Sequence, residues 1–160
     1  MGLKSLLAKP FADYIAKRVY DAAKNAVANQ EKIMMELVQT AAQTQFGKDH
    51  HFSNVRNYED FKAAVPIRDY EALRYYIDKM VDGESDVLWP GKPLYLAKTS
   101  GTTSGVKYIP LTKASIPNHI NSARNALLMY VHETRNTDFI SGKMIFLQGY
   151  TVLGEKMGIN

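Results

Sequence analysis

The apolar spacing of this chain changes period at Trp89-Pro90-Gly91-Lys92-Pro93, and that change limits the architectures open to it. Before this turn signal, apolar residues recur at three- and four-residue intervals, the period of helices that bury one face. After it they come in runs of four or five residues, the length of strands. Helices come first and a sheet begins afterwards. A fold that combines helices with a sheet is expected.

The helical half divides into several pieces. Phe11, Ile15, Val19, Ala22 and Ala26 share a face and predict a helix over residues 10–29, with Pro10 in its first turn. A second helix is expected from about Gln30, with Ile33, Met34, Leu37, Val38, Ala41 and Gln45 as its stripe and Gly47 as its stop. These two amphipathic helices are expected to bury their stripes against each other or against a neighbouring domain. Asn57 with Asp60 three residues on resembles a capping box for a short helix ended by Pro66. A further helix is predicted over 68–81, with Tyr70, Leu73, Ile77 and Met80 inward and Asp82-Gly83 closing it.

Beyond the turn, Leu94-Tyr95-Leu96-Ala97 and Tyr108-Ile109-Pro110-Leu111-Thr112 read as two short strands, the second marked as an edge or bulge by Pro110. Ser115 is expected to cap a long helix with Ile116, Ile120, Ala123, Leu127, Tyr130 and Thr134 inward. Met144-Ile145-Phe146-Leu147 reads as a buried strand. Three short strands cannot cover both faces of a sheet, so the sequence is expected to be part of a larger domain.

Between the two short strands lies the chemically densest segment, Thr99-Ser100-Gly101-Thr102-Thr103-Ser104-Gly105-Val106-Lys107, which Lys98 precedes. Glycines let the backbone turn so that successive N–H groups point into one concavity, the geometry that cradles phosphate oxygens. The hydroxyls add donors, and a lysine neutralises charge on a departing pyrophosphate. It is not a Walker loop: counting from Gly101 puts Val106 where that motif needs glycine, and a strand rather than a helix follows. The bland alternative is a solvated turn whose hydroxyls satisfy backbone groups.

Other groups invite chemistry less strongly. Asp49-His50-His51 could hold a metal, but adjacent loop residues seldom converge on one ion. His119 and His132 stand too far apart along a helix to share one. Glu59-Asp60, and Asp82, Glu84 and Asp86, read as solvated loop or helix-end charges, and Tyr75-Tyr76 and Trp89 as packing residues. The absence of cysteine excludes disulfides and thiolate chemistry and fits a cytoplasmic protein. A formal net charge of +4, with acidic and basic residues interleaved, implies no nucleic-acid partner. No apolar run reaches the ~20 residues of a membrane span.

Thr99 to Lys107 resembles the phosphate-binding signature of the adenylate-forming superfamily, whose usual form has Gly, Pro and Gly where this chain has Ser104, Val106 and Tyr108. The closer resemblance is to the auxin-responsive (Gretchen Hagen) acyl acid amido synthetases, in particular their bacterial branch. It is carried by Lys4-Ser5-Leu6-Leu7-Ala8-Lys9-Pro10-Phe11, Phe46-Gly47-Lys48-Asp49-His50-His51-Phe52 and Val65-Pro66-Ile67-Arg68-Asp69-Tyr70. It continues through Val87-Leu88-Trp89-Pro90-Gly91-Lys92-Pro93, the loop, Ser115-Ile116-Pro117-Asn118-His119-Ile120 and Gly142-Lys143-Met144-Ile145-Phe146-Leu147-Gln148-Gly149.

That resemblance implies a two-step ligase: ATP and a carboxylic acid give acyl-AMP and pyrophosphate with Mg2+, and an amine, typically of an amino acid, displaces AMP. The residues implied to bind the nucleotide are Thr99, Ser100, Gly101, Thr102, Thr103, Ser104, Gly105 and Lys107. The loop is one residue shorter before its lysine than in plant members. The resemblance further implies an α/β fold, with an N-terminal helical segment, residues 1–90, packing on an ATP-binding adenylating domain begun by residues 91–160, a mixed sheet flanked by helices that is incomplete here. The later motifs that hold adenine, ribose and metal have no counterpart, so the fragment alone is expected to be inactive. Two alternatives stay open: an acyl-CoA-type ligase with a thiol acceptor, and a non-enzymatic peripheral membrane or interaction module built on the first two helices.

Overall fold

In a computed structural model, which describes residues 3–99, 105–140 and 142–143, the helical run predicted over 10–29 is broken at Asn25. Helix α1 spans Leu3–Lys24 and α2 spans Ala26–Ala41. The break has a local cause. The Asn25 backbone N–H bonds to the Ala22 carbonyl at 3.2 Å and its side-chain amide to the Asp21 carbonyl at 3.3 Å, tightening and capping the last turn. At the other end α1 starts earlier than expected. Pro10 therefore lies inside the helix, where it removes the N–H that would meet the Leu6 carbonyl.

The described residues form two compact units. In the first, residues 3–26 associate with 116–143, so α1 pairs with the long helix α6, Ile116–Thr134. The buried residues are Ala12, Ile15 and Ala16 of α1 and Val131 of α6, and the two alanines let the backbones approach. Three polar contacts fix which faces meet. Asp13 Oδ1 receives Arg135 Nη1 and His132 Nδ1, each at 2.6 Å, and the Tyr20 hydroxyl donates to Glu133. Two predicted stripes are corrected here. Phe11 and Val19 of α1, and Ile120, Leu127 and Tyr130 of α6, lie exposed, with Ile120 at 62%. Ile15 is buried as expected, but the buried face of α1 is shifted from the predicted stripe toward Ala12 and Ala16.

In the second unit, residues 27–115, the stop expected at Gly47 is also corrected. Helix α2 ends at Ala41, and Gly47 sits inside the short helix α3, Gln45–Asp49. A Cβ built on Gly47 would lie 2.0 Å from the Ala41 carbonyl oxygen, so glycine is needed for close approach rather than for termination. Helix α3 has its free N–H groups accounted for one by one. Gln45 donates to the Asp86 carbonyl at 2.8 Å, Phe46 to that of Val87 at 3.0 Å, and Gly47 to the buried Thr44 hydroxyl at 3.0 Å.

Around this junction lie two apolar clusters. Val38, Ala41, Phe52 and Val55 form one, with Trp89 packed on it; Tyr76, Met80 and Val87 form the other, and Phe46 packs against both. Helix α4, Tyr58–Ala64, is capped as expected: Asn57 Oδ1 accepts the Asp60 N–H at 3.0 Å, and Asp60 reaches back to the Arg56 N–H at 2.9 Å. Helix α5, Tyr70–Val81, starts at the Asp69 cap and buries Tyr76, Ile77, Met80 and Val81. Asp82 and Gly83 close it, as expected, by bonding to the Asp78 and Met80 carbonyls.

The two short strands pair as an antiparallel hairpin, β1 Tyr95–Lys98 with β2 Tyr108–Leu111, in the register Lys98↔Tyr108 and Leu96↔Pro110. The Thr99 N–H donates to the Lys107 carbonyl at 2.9 Å, which makes Thr99 and Lys107 a hydrogen-bonded pair. By alternation, Tyr108 and Pro110 belong to non-hydrogen-bonded pairs and turn their backbone nitrogens away from β1. Pro110 is tolerated on that outer edge because no ladder donor is needed there. The strand predicted at Met144–Leu147 lies outside the described residues.

Candidate functional site: the hairpin loop

Of the predicted phosphate-binding residues, Thr99, Gly105 and Lys107 are described; Ser100, Gly101, Thr102, Thr103 and Ser104 lie outside the described residues. The hairpin brings Thr99 and Lys107 together at the base of the loop, eight positions apart in sequence. Besides the 2.9 Å backbone bond, the Lys107 N–H approaches Thr99 Oγ1 at 3.4 Å, a long contact that turns this hydroxyl toward the loop base. Gly105 has φ +80°, the left-handed region that glycine occupies without strain, and no atom of the described residues lies within 4 Å of where a Cβ would sit. Backbone conformation, not a close contact with the described residues, favours glycine there.

Sequence reasoning had not given Tyr70 a part in this site. It is the first residue of α5, and its hydroxyl accepts the Tyr108 N–H at 2.9 Å, the outward-facing donor of β2. Its ring lies under the Lys107 ammonium, 5.3 Å from Nζ to the ring centroid. No carboxylate of the described residues forms an ion pair with Lys107. The only advance signal was the apolar periodicity that set Tyr70 on the inward face of α5. A contact across 38 positions leaves no trace in local spacing.

The other candidates resolve into structural roles. His50 is buried against Phe46, ring centroids 4.3 Å apart, and its Nδ1 lies 2.9 Å from the Ala64 carbonyl, so that nitrogen carries the proton. Asp49 accepts the Tyr76 hydroxyl at 2.9 Å; burial, and then that carboxylate, push the Tyr76 phenol above its ordinary range. Asp86 accepts the Gly91 N–H at 2.8 Å, and this bond holds its carboxyl below the usual value. Lys79 is raised by its partner Glu84. Tyr75 stacks edge-on against Tyr76 at 5.2 Å. Among the described residues no group of three His, Asp or Glu side chains is placed to hold a metal ion.

A helical segment leading into an antiparallel hairpin, its connecting sequence rich in glycine and hydroxyls, defines a class: the opening portion of an α/β domain. A profile described as the GH3 family N-terminal domain matches residues 15–153, and the chain belongs to that family. It is 33% identical over 115 residues to indole-3-acetic acid-amido synthetase GH3.15 of Arabidopsis thaliana, covering 70% of this chain and 19% of the relative. It is 23% identical over 139 residues to jasmonoyl–L-amino acid synthetase JAR4 of Nicotiana attenuata, covering 85% of this chain and 24% of the relative. Among solved structures, the AtGH3.15 acyl acid amido synthetase in complex with 2,4-DB aligns with a TM-score of 0.69 at 25% identity, over 75% of this chain and 21% of that one. The chain thus spans about a fifth to a quarter of the length of these relatives.

Proposed function

We propose that this chain supplies the phosphate-binding part of an ATP-dependent ligase that activates a carboxylic acid as acyl-AMP and transfers the acyl group to an amine, that of an amino acid. The observation that carries this reading is the Thr99–Lys107 closure. It mounts a segment rich in glycine and hydroxyls on a hydrogen-bonded two-stranded base and leaves a lysine beside it with no acidic partner among the described residues. The names of the relatives agree with it: both curated proteins are synthetases that join an acid to an amino group.

In this reading the loop binds the ATP polyphosphate from Thr99 to Gly105, with Lys107 as its cation. Backbone N–H groups and hydroxyls fixed before the reaction stabilise charge that grows on the departing pyrophosphate without reorganising. The donor set among the described residues, the Lys107 ammonium and the Thr99 hydroxyl, fits phosphate oxygens rather than Mg2+. Magnesium is assigned to the polyphosphate itself and to carboxylates elsewhere. We further assign the chain to the bacterial branch of the family, within the adenylate-forming superfamily, and to the cytoplasm. Residues 1–90 serve as a helical N-terminal segment and 91–160 open the ATP-binding domain. No helix of the described residues is long and apolar enough to cross a membrane.

The test is ATP–pyrophosphate exchange by the full-length protein against a panel of aromatic and aliphatic carboxylic acids, followed by mass spectrometry with amino acids or coenzyme A added. Acid-dependent exchange and an amide product are expected. A thioester in place of the amide would move the protein to the acyl-CoA-type ligases. ATP binding with no exchange for any acid would overturn the adenylation reading.

A further inference from the structure

We propose that Tyr70 is a positioning residue for the phosphate-binding loop, setting Lys107 through its ring and the β2 backbone through its hydroxyl; the inference rests on the function proposed above. Two independent contacts converge on this side chain. The hydroxyl takes the Tyr108 N–H at 2.9 Å, a donor that strand alternation points away from β1. The ring sits 5.3 Å from the Lys107 Nζ. Tyr70 thus grips two consecutive residues at the point where the chain leaves the loop, one by its backbone and one by its charge.

The surroundings explain why a ring is used rather than a carboxylate. Tyr70 opens α5, and the positive end of a helix disfavours an ammonium nearby. The two carboxylates of that first turn are committed elsewhere: Asp69 accepts the Ala72 N–H at 2.9 Å, and Glu71 pairs with Arg74 at 3.0 Å. An aromatic face holds the ammonium without neutralising it, so the full positive charge stays available to a polyphosphate. A carboxylate in the same place would hold the lysine more tightly and cancel the charge the loop requires. Tyr70 acts through Lys107 and the strand and is not assigned a contact with substrate.

The experiment is ATP–pyrophosphate exchange by the full-length protein carrying Tyr70→Leu, Lys107→Met and the double substitution, with phenylalanine and fluorinated phenylalanines of falling ring electron density placed at position 70. Tyr70→Leu is expected to lower exchange ~5- to 10-fold, chiefly by raising the KM for ATP. In the Lys107→Met background the same change should cost less than about twofold, because its target is gone. Activity should fall step by step along the fluorinated series, a trend that packing alone does not produce and that survives even if Tyr70→Leu fails to fold. Multiplicative effects in the double variant, or a flat fluorinated series, would overturn the inference. Absence of acid-dependent exchange by the wild-type protein would remove the adenylation reading and this inference with it, whereas wild-type exchange indifferent to position 70 removes the inference alone.

Discussion

Gly47 approaches the Ala41 carbonyl so closely that a methyl group on its Cα would lie 2.0 Å from the oxygen, well inside any allowed contact. The contact is backbone on backbone, so no side chain can swing aside to relieve it. Thr44 tightens the same turn by donating to the Ala41 carbonyl at 2.7 Å and accepting the Gly47 N–H. Gly47→Ala is therefore expected to destabilise the protein by about 3 kcal/mol or more, as forced overpacking does. Urea unfolding monitored by circular dichroism checks it. A midpoint unchanged from wild type would contradict the close approach of Gly47 to the Ala41 carbonyl.

This junction also shows what local sequence conveys and what it hides. Helix caps are short-range chemistry, and Asn57–Asp60 and Asp82–Gly83 were legible because the bonding partners lie within a few residues. Gly47 was misread as a stop because a helix-ending glycine and a close-approach glycine look identical in sequence; only the Ala41 carbonyl separates them. The inward faces of α1 and α6 were misassigned for a related reason. Ile15 was read correctly, but apolar residues are spread widely around each helix, and the polar partners that accompany the observed pairing, Asp13 with His132 and Arg135, lie more than a hundred positions apart. In the site, the strand–loop–strand arrangement and the edge position of Pro110 followed from run length and proline chemistry. The part played by Tyr70 did not, since nothing near it in sequence marks a contact with β2.

A second prediction concerns the loop itself. Gly105 adopts φ +80° with no atom of the described residues within 4 Å of a Cβ, so Gly105→Ala should fold normally while straining the backbone by roughly 1 kcal/mol. The strain falls two residues before Lys107, where it changes the path of the loop rather than a packed core. Exchange activity of the full-length protein is expected to drop more than about tenfold with only a small change in thermal midpoint. Loss of stability with activity preserved would contradict a functional role for that conformation.

The third follows from Asp13. Hydrogen bonds from His132, then from Arg135, hold its carboxyl below the ordinary range. A carboxyl lowered by folding contributes stability above its unfolded value, about 3.9, and that contribution is lost as pH falls through the lowered folded value. Asp13→Asn should consequently unfold more easily than wild type at pH 7, with the gap narrowing as the pH is taken below the ordinary carboxylate range. Added salt should narrow the gap too, because the Asp13 and Arg135 side chains are both about half exposed. Urea midpoints of the two proteins across pH 3–7 read this directly, and a gap that stays constant with pH would sink the assignment.

The most direct test of the central claim, that the hairpin loop binds the ATP polyphosphate, is acid-dependent ATP–pyrophosphate exchange by the full-length protein carrying Thr102→Ala and Thr103→Ala together. Removing two hydroxyl donors to the departing pyrophosphate is predicted to lower exchange by on the order of 10²-fold, with unfolding midpoints unchanged. Exchange at the wild-type rate would contradict the account and return the segment to an ordinary solvated turn.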